Sequence, residues 1–171
     1  MRFLVKKAQK GDGQAFVELI ELCKSGMYKV AKSYLIRDED VADAMSQTIL
    51  DCYDNLGRLK NPNYFKTWLI RILINNCKDM LRRQAREPLL ETFPEQGEEC
   101  MDFKNYEFQE LMKSLDEKYR VILLLYYGEG FKIREIAQIL EMEENTVKTR
   151  LSRGRRELGR VYGFQMAEER R

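Results

Sequence analysis

Residues 133–160 read Ile133-Arg134-Glu135-Ile136-Ala137-Gln138-Ile139-Leu140, then Glu141-Met142-Glu143-Glu144, then Asn145-Thr146-Val147-Lys148-Thr149-Arg150-Leu151-Ser152-Arg153-Gly154-Arg155-Arg156-Glu157-Leu158-Gly159-Arg160. Val147, Leu151, Gly154 and Leu158 recur at i, i+4, i+7 and i+11, a narrow apolar stripe along one helix. The opposite face collects Asn145, Thr149, Ser152, Arg153, Arg156 and Arg160, with Lys148, Arg150 and Arg155 on its flanks. Six bases and one acid, Glu157, lie between Asn145 and Arg160. A short apolar-patterned helix, Ile133–Leu140, precedes it across a tight acidic turn. Two helices so joined, the second apolar inside and basic outside, meet the requirement for helix-turn-helix reading of a DNA major groove. Polar residues early in the second helix reach base edges while arginines hold phosphates. A solvated basic helix carries a similar wheel, so the rest of the chain must separate the two readings.

Outward from that stretch, the chain is helical. Only 3 prolines and 10 glycines occur in 171 residues, too few for a turn-rich β-sandwich. No alternating strand pattern and no internal repeat is found, so the expected fold class is all-α. Phe16, Leu19, Ile20, Cys23, Met27, Val30, Ala31 and Tyr34 define a first helix from Gln14 to Leu35. A second runs from Val41 to about Leu56, with Asp40 as its expected N-cap and Gly57 as its stop. Asn61-Pro62-Asn63 is a turn, and Asn63 is the expected cap of a third helix reaching about Arg86. Phe108–Lys113 and Asp116–Tyr127 are the next predicted helices, Gly128 and Gly130 closing the latter.

Charge divides the chain. Residues 1–86 carry a net +6, residues 87–104 a net −5, and residues 105–171 a net +1. The acidic middle segment holds Pro88, Pro94 and Gly97 and reads as a flexible linker between two small helical domains.

The composition also excludes chemistry. Histidine is absent, which removes Ser-His-Asp and Cys-His nucleophile systems and any zinc site with an imidazole ligand. Cys23, Cys52, Cys77 and Cys100 contain no C-x-x-C pair. Three thiols buried in helices and one in the linker is the expected arrangement, suited to a reducing compartment. No metal, cofactor or catalytic residue is expected. No apolar run has the length of a membrane span and residues 1–10 lack a signal-peptide core, so a cytoplasmic protein without direct membrane insertion is expected.

Two further faces carry information. In the third helix Leu69, Ile70, Leu73, Ile74, Cys77, Met80 and Leu81 form the apolar arc, against Trp68, Arg71, Asn75, Asp79, Arg82, Arg83 and Arg86. A tryptophan among arginines can stack on an unpaired base while the guanidinium groups neutralise single-stranded backbone. It can equally pack on the first helix or the Asn61 loop. In the second helix Met45, Ile49, Cys52 and Leu56 are expected to face inward. Asp43, Gln47 and Asp54 line the other side with Leu50 among them, an acidic stripe suited to a protein partner rather than DNA.

The order of these segments resembles the extracytoplasmic-function class (group 4) of bacterial RNA polymerase sigma factors, in the sigma-70 superfamily. Residues 40–50, Asp40 to Leu50, resemble that family's core-binding helix. Phe65-Lys66-Thr67-Trp68-Leu69-Ile70-Arg71-Ile72, followed by Asn75, Asp79 and Arg82-Arg83, resembles its promoter-melting helix. Leu115-Asp116-Glu117-Lys118-Tyr119-Arg120, Glu135-Ile136-Ala137 and residues 146–155 resemble its fourth region. The resemblance implies that residues 1–86 are region 2, 87–104 an acidic linker and 105–171 region 4.

It further implies promoter DNA and the RNA polymerase core as partners, together with an anti-sigma factor able to hold the protein at the membrane. Asn145, Thr146, Lys148, Thr149, Ser152, Arg153, Arg156 and Arg160 would bind the duplex −35 element. Arg58, Lys60, Asn63, Tyr64, Trp68, Arg71, Asn75, Arg82 and Arg83 would bind the melted −10 strand. Asp43, Ser46, Gln47 and Leu50 would dock on the polymerase. Ser46 and Ala42 depart from the family's usual glutamine and glutamate. Lys132 replaces a Ser/Thr cap, and Glu141 stands in a turn where glycine is common. A stand-alone helix-turn-helix regulator is the alternative, but it needs a ligand pocket or phosphoacceptor where residues 1–86 carry basic helices. A metal-dependent enzyme would need fixed carboxylate clusters, and the linker acids lie in a tether.

Overall fold

The computed structural model describes residues 1–86 and 115–162, with side chains through residue 160. Among the described residues there are seven α-helices and no strand: α1 (Arg2–Ala8), α2 (Gly13–Lys32), α3 (Asp38–Asn55), α4 (Phe65–Gln84), α5 (Glu117–Leu123), α6 (Ile133–Leu140) and α7 (Glu144–Tyr162). They divide into two compact units, α1–α4 and α5–α7. The acidic linker of residues 87–104, Cys100 and the helix predicted over Phe108–Lys113 lie outside the described residues.

In the first unit α2, α3 and α4 pack on one another, and α1 lies along α2. The apolar period of α2 is realised: Ala15, Phe16, Leu19, Ile20, Cys23, Met27, Val30 and Ala31 are buried. They meet Leu69, Ile70, Leu73, Ile74 and Cys77 of α4, all at most 1% exposed. Asp12 caps α2, its carboxylate accepting from Ala15 N at 3.0 Å. That cap ends the segment containing α1, a helix that the sequence pattern did not suggest. Seven residues with one buried side chain, Val5, are too short for a readable period.

The caps expected of Asp40 and Asn63 are corrected. Helix α3 starts at Asp38 with Arg37 as the N-cap residue, so Asp38, Glu39 and Asp40 form its acidic first turn and face the positive end of the helix dipole. Lys32 at the end of α2 donates to Ile36 O (2.8 Å) and Asp38 Oδ1 (2.7 Å), fixing the corner. Between α3 and α4 the chain makes two 3-10 turns, Leu56–Arg58 and Pro62–Tyr64. Asn61, not Asn63, is the capping side chain, accepting from Asn63 N at 3.1 Å. The inward stripe of α3 is Val41, Ala44, Thr48 and Cys52. Leu56, just past the helix, is buried as expected, but Met45 and Ile49 are half-buried at the edge.

In the second unit α5 and α6 both pack on α7. Asp116 caps α5 and pairs with Lys118 (Nζ to Oδ2, 2.6 Å). That hydrogen bond lowers the Asp116 carboxyl and raises the Lys118 ammonium from their ordinary pKa values. The helix predicted to reach Tyr127 widens after Leu123 into a π-turn, Leu124–Gly128. The chain then reverses at Gly130, whose φ of 71° a β-carbon would oppose. Helix α6 has the predicted bounds, Ile133–Leu140. Lysine has no acceptor, so Lys132 cannot cap by its side chain; Glu135 compensates, its carboxylate accepting from Lys132 N at 2.8 Å. Glu141 takes the left-handed conformation (φ 54°), and Met142 N donates to Ala137 O at 3.0 Å, closing a Schellman-type stop.

Candidate nucleic-acid interface

Helices α6 and α7 are joined by three residues, Glu141–Glu143. Thr146 N and Val147 N donate to Glu143 O at 2.9 and 3.1 Å and start α7 cleanly. Val147, Leu151 and Gly154 are buried and Leu158 is half-buried, the stripe read from the sequence. Gly154 is needed for closeness. A β-carbon there would sit 3.0 Å from Leu123 Cδ1 and 3.2 Å from Tyr119 Cβ, so α7 and α5 touch almost backbone to side chain.

Of the residues predicted to meet duplex DNA, Asn145, Lys148, Thr149, Ser152, Arg153, Arg156 and Arg160 are exposed and Thr146 is half-buried. Thr149 also donates back to Asn145 O at 2.9 Å. Arg153, Arg156 and Arg160 line a cleft of about 220 Å³ with Tyr119 and Glu157, gathering positive charge on one side of α7. Arg155, on the flank, reaches Tyr127 Oη at 3.4 Å.

The other predicted strand-binding set lies in the first unit. Arg58, Lys60, Asn63, Tyr64, Arg71, Asn75, Arg82 and Arg83 are exposed. Trp68 is half-buried, its ring tilted against Phe65 with centroids 6.3 Å apart. Trp68 thus packs on Phe65 of its own helix, and it stays partly accessible to solvent. Arg82 pairs with Asp79, which partly neutralises one cation of the set.

On α3 the predicted docking residues Asp43, Ser46, Gln47 and Leu50 are all exposed, Leu50 at 60%. Tyr53, one turn on, is 62% exposed, its ring edge-to-face with Phe16 at a centroid separation of 5.1 Å, and extends the same apolar-and-acidic strip.

Sequence reading missed the polar node behind that strip. Asn76 of α4 donates to Thr48 Oγ1 (3.1 Å) and Asp51 Oδ2 (2.8 Å), while Gln47 donates to Asp51 Oδ1 at 2.8 Å. The available signal was a polar residue on the edge of the apolar arc of α4. Cys23, Cys52 and Cys77 are buried and in no disulfide, and burial pushes the thiols of Cys52 and Cys77 up to about 12. They serve as small apolar side chains rather than nucleophiles or ligands. Among the described residues no cluster could hold a metal ion, and no helix is long and apolar enough to cross a membrane.

The two units coincide with two sequence families. Sigma-70 region 2 matches residues 19–87, and Sigma-70, region 4 matches residues 106–158. The chain is 31% identical over 134 residues to RNA polymerase sigma factor SigV of Bacillus subtilis, covering 76% of this chain and 80% of that protein. It is 27% identical over 173 residues to ECF RNA polymerase sigma factor SigW of the same organism, covering 90% and 92%. In fold it is similar to the sigma factor RpoE of Bartonella quintana, solved with the anti-sigma factor NepR, with a TM-score of 0.73 at 20% identity over 88% of this chain and 98% of that one. The chain belongs to the extracytoplasmic-function class of RNA polymerase sigma factors. It is thus a transcription initiation factor that directs RNA polymerase to promoters.

Proposed function

We propose that this sigma factor grips one promoter at two places while bound to the polymerase core. Region 2 corresponds to residues 1–86, the acidic linker to 87–104 and region 4 to 105–171. Helix α7 enters the major groove of the duplex −35 element. Asn145, Thr146, Thr149 and Ser152 address base edges, and Lys148, Arg153, Arg156 and Arg160 hold phosphates. The Arg58–Tyr64 loop and the outer face of α4 hold the melted −10 strand with one base turned out of the stack. Trp68 supplies an aromatic surface there, and Arg71, Asn75, Arg82 and Arg83 follow the backbone. The strip of Asp43, Ser46, Gln47 and Leu50 docks on the largest polymerase subunit, Leu50 as the apolar anchor within polar surroundings.

The sigma factor RpoE named above is bound by an anti-sigma factor. A partner of that kind fits this chain and would keep it inactive, at the membrane where the partner is anchored, until an extracytoplasmic or stress signal releases it. The site of action is the cytoplasm, where the polymerase works.

The observation that carries the duplex assignment is the clean division of α7, buried along Val147, Leu151 and Gly154 and exposed at every arginine from Arg153 to Arg160 except half-buried Arg155. Charge reversal by Arg153→Glu with Arg156→Glu is expected to lower holoenzyme affinity for a −35 duplex by roughly 100-fold at physiological salt. Polymerase co-purification should persist. Retained duplex affinity would overturn the major-groove assignment.

A further inference from the structure

The loop proposed to hold the melted strand is also braced from another helix. Past the 3-10 turn Leu56–Arg58, Leu59 N donates to Leu56 O at 3.2 Å, and Arg58 and Lys60 project into solvent. A residue far away in sequence completes it. Gln9, at the end of α1, sends its Nε2 to Leu56 O at 3.0 Å and to Leu59 O at 2.8 Å. Both amide hydrogens are thus spent on the carbonyls that flank Gly57 and Arg58; Leu56 O, at the exit of α3, accepts from Gln9 in addition to Leu59 N, using both of its lone pairs. Helix α1 also lies against the Pro62–Tyr64 turn, so it touches the loop at both ends.

We infer that Gln9 is a positioning residue for promoter opening. Its side-chain amide fixes the 56–60 segment so that Arg58 and Lys60 are presented to the melted strand without an ordering cost at the moment of binding. The physical reason is preorganisation: a loop already held by two hydrogen bonds loses less conformational freedom when a nucleic-acid backbone settles on it. The effect is confined to strand capture. The two acceptors, Leu56 O and Leu59 O, lie beyond the Asp43–Leu50 docking strip of α3. This inference rests on the assignment of the loop to the −10 strand.

The test uses the full chain reconstituted with polymerase core and a single-stranded −10 non-template oligonucleotide, beside a −35 duplex. Gln9→Leu removes both donors at similar volume. Gln9→Glu sets a carboxylate against two carbonyl oxygens. Both variants are expected to lose about 5- to 20-fold in oligonucleotide affinity, Gln9→Glu the more at pH 7. Co-purification with polymerase, duplex affinity and the melting temperature should stay near wild type. Two facing carbonyl oxygens raise the introduced carboxyl above its ordinary pKa of about 4.3, so lowering the pH from 7 toward about 4.5 progressively protonates it, returns one donor, and should raise the affinity of Gln9→Glu relative to Gln9→Leu at the same pH.

Oligonucleotide affinities within twofold of wild type overturn the inference, as does a parallel loss of polymerase binding and thermal stability, which marks a merely structural role. A control with Arg58→Ala and Lys60→Ala separates the two levels. If that control binds the oligonucleotide as well as wild type, the loop assignment itself falls. If it loses binding while the Gln9 variants do not, only the role of Gln9 falls.

Discussion

Helix α7 and the surface built around α4 pose two different physical problems. On α7, every side chain proposed to meet DNA projects from one rigid rod, and the rod is seated by an apolar stripe and the close approach at Gly154. Around α4 the proposed strand surface is composite. Trp68 is half-buried against Phe65, the loop is made of two 3-10 turns, and Gln9 of another helix supplies the hydrogen bonds that hold it. A regular duplex can be met by a regular helix, because both repeat. An unpaired strand has no regular shape, so its site has to be assembled from several chain segments.

Trp68→Ala should separate the two surfaces most sharply. Loss of one base stack is worth about 1–3 kcal/mol, or roughly 5- to 150-fold in strand affinity. Closed-complex formation through α7 should survive, and promoter thymines near −10 should lose permanganate reactivity. Trp68→Phe should restore part of it. Unchanged reactivity in Trp68→Ala would reduce Trp68 to a packing residue and leave the strand to the loop alone.

A middling effect is expected on a third surface, which serves both. Asp43→Arg should weaken polymerase co-purification roughly tenfold, through loss of charge complementarity at an exposed position. Both DNA surfaces should stay intact in the free protein. Full co-purification would move the docking strip toward Leu50 and Tyr53.

The smallest effect probes the seat of α7. Gly154→Ala adds a methyl 3.0 Å from Leu123 Cδ1. Overpacking costs about 1–3 kcal/mol, and the helix preference of alanine returns about 1, so a net loss of roughly 1 kcal/mol is expected in the unfolding of the second unit. Denaturant titration checks it. An unchanged midpoint would show that Leu123 yields and that α7 is less tightly seated than its geometry implies.

What was legible follows the same division. The bounds of α6 and the inside and outside of α7 were readable because a helix whose one face packs and whose other face is charged writes both facts at a single period. The apolar faces of α2 and α4 were readable for that reason too, as were three of the buried thiols. The start of α3 was misplaced because Asp38, Glu39 and Asp40 suit a cap and a first turn equally well. The inward face of α3 was misjudged at Met45 and Ile49, where Thr48 goes inside instead. Its hydroxyl donates to Ala44 O at 2.7 Å and accepts from Asn76, which makes burial tolerable.

The amino-acid order alone therefore settled the all-helical class, the acidic break in the charge and the face of α7, each of which depends on neighbours no more than a few turns away. The role of α1, the Asn76 node and the grip of Gln9 on Leu56 and Leu59 became visible only in the folded chain. Gln9 and its acceptors are separated by 47 and 50 residues, and no local period records a hydrogen bond that exists only after α1 and α3 have been brought together by a shared core.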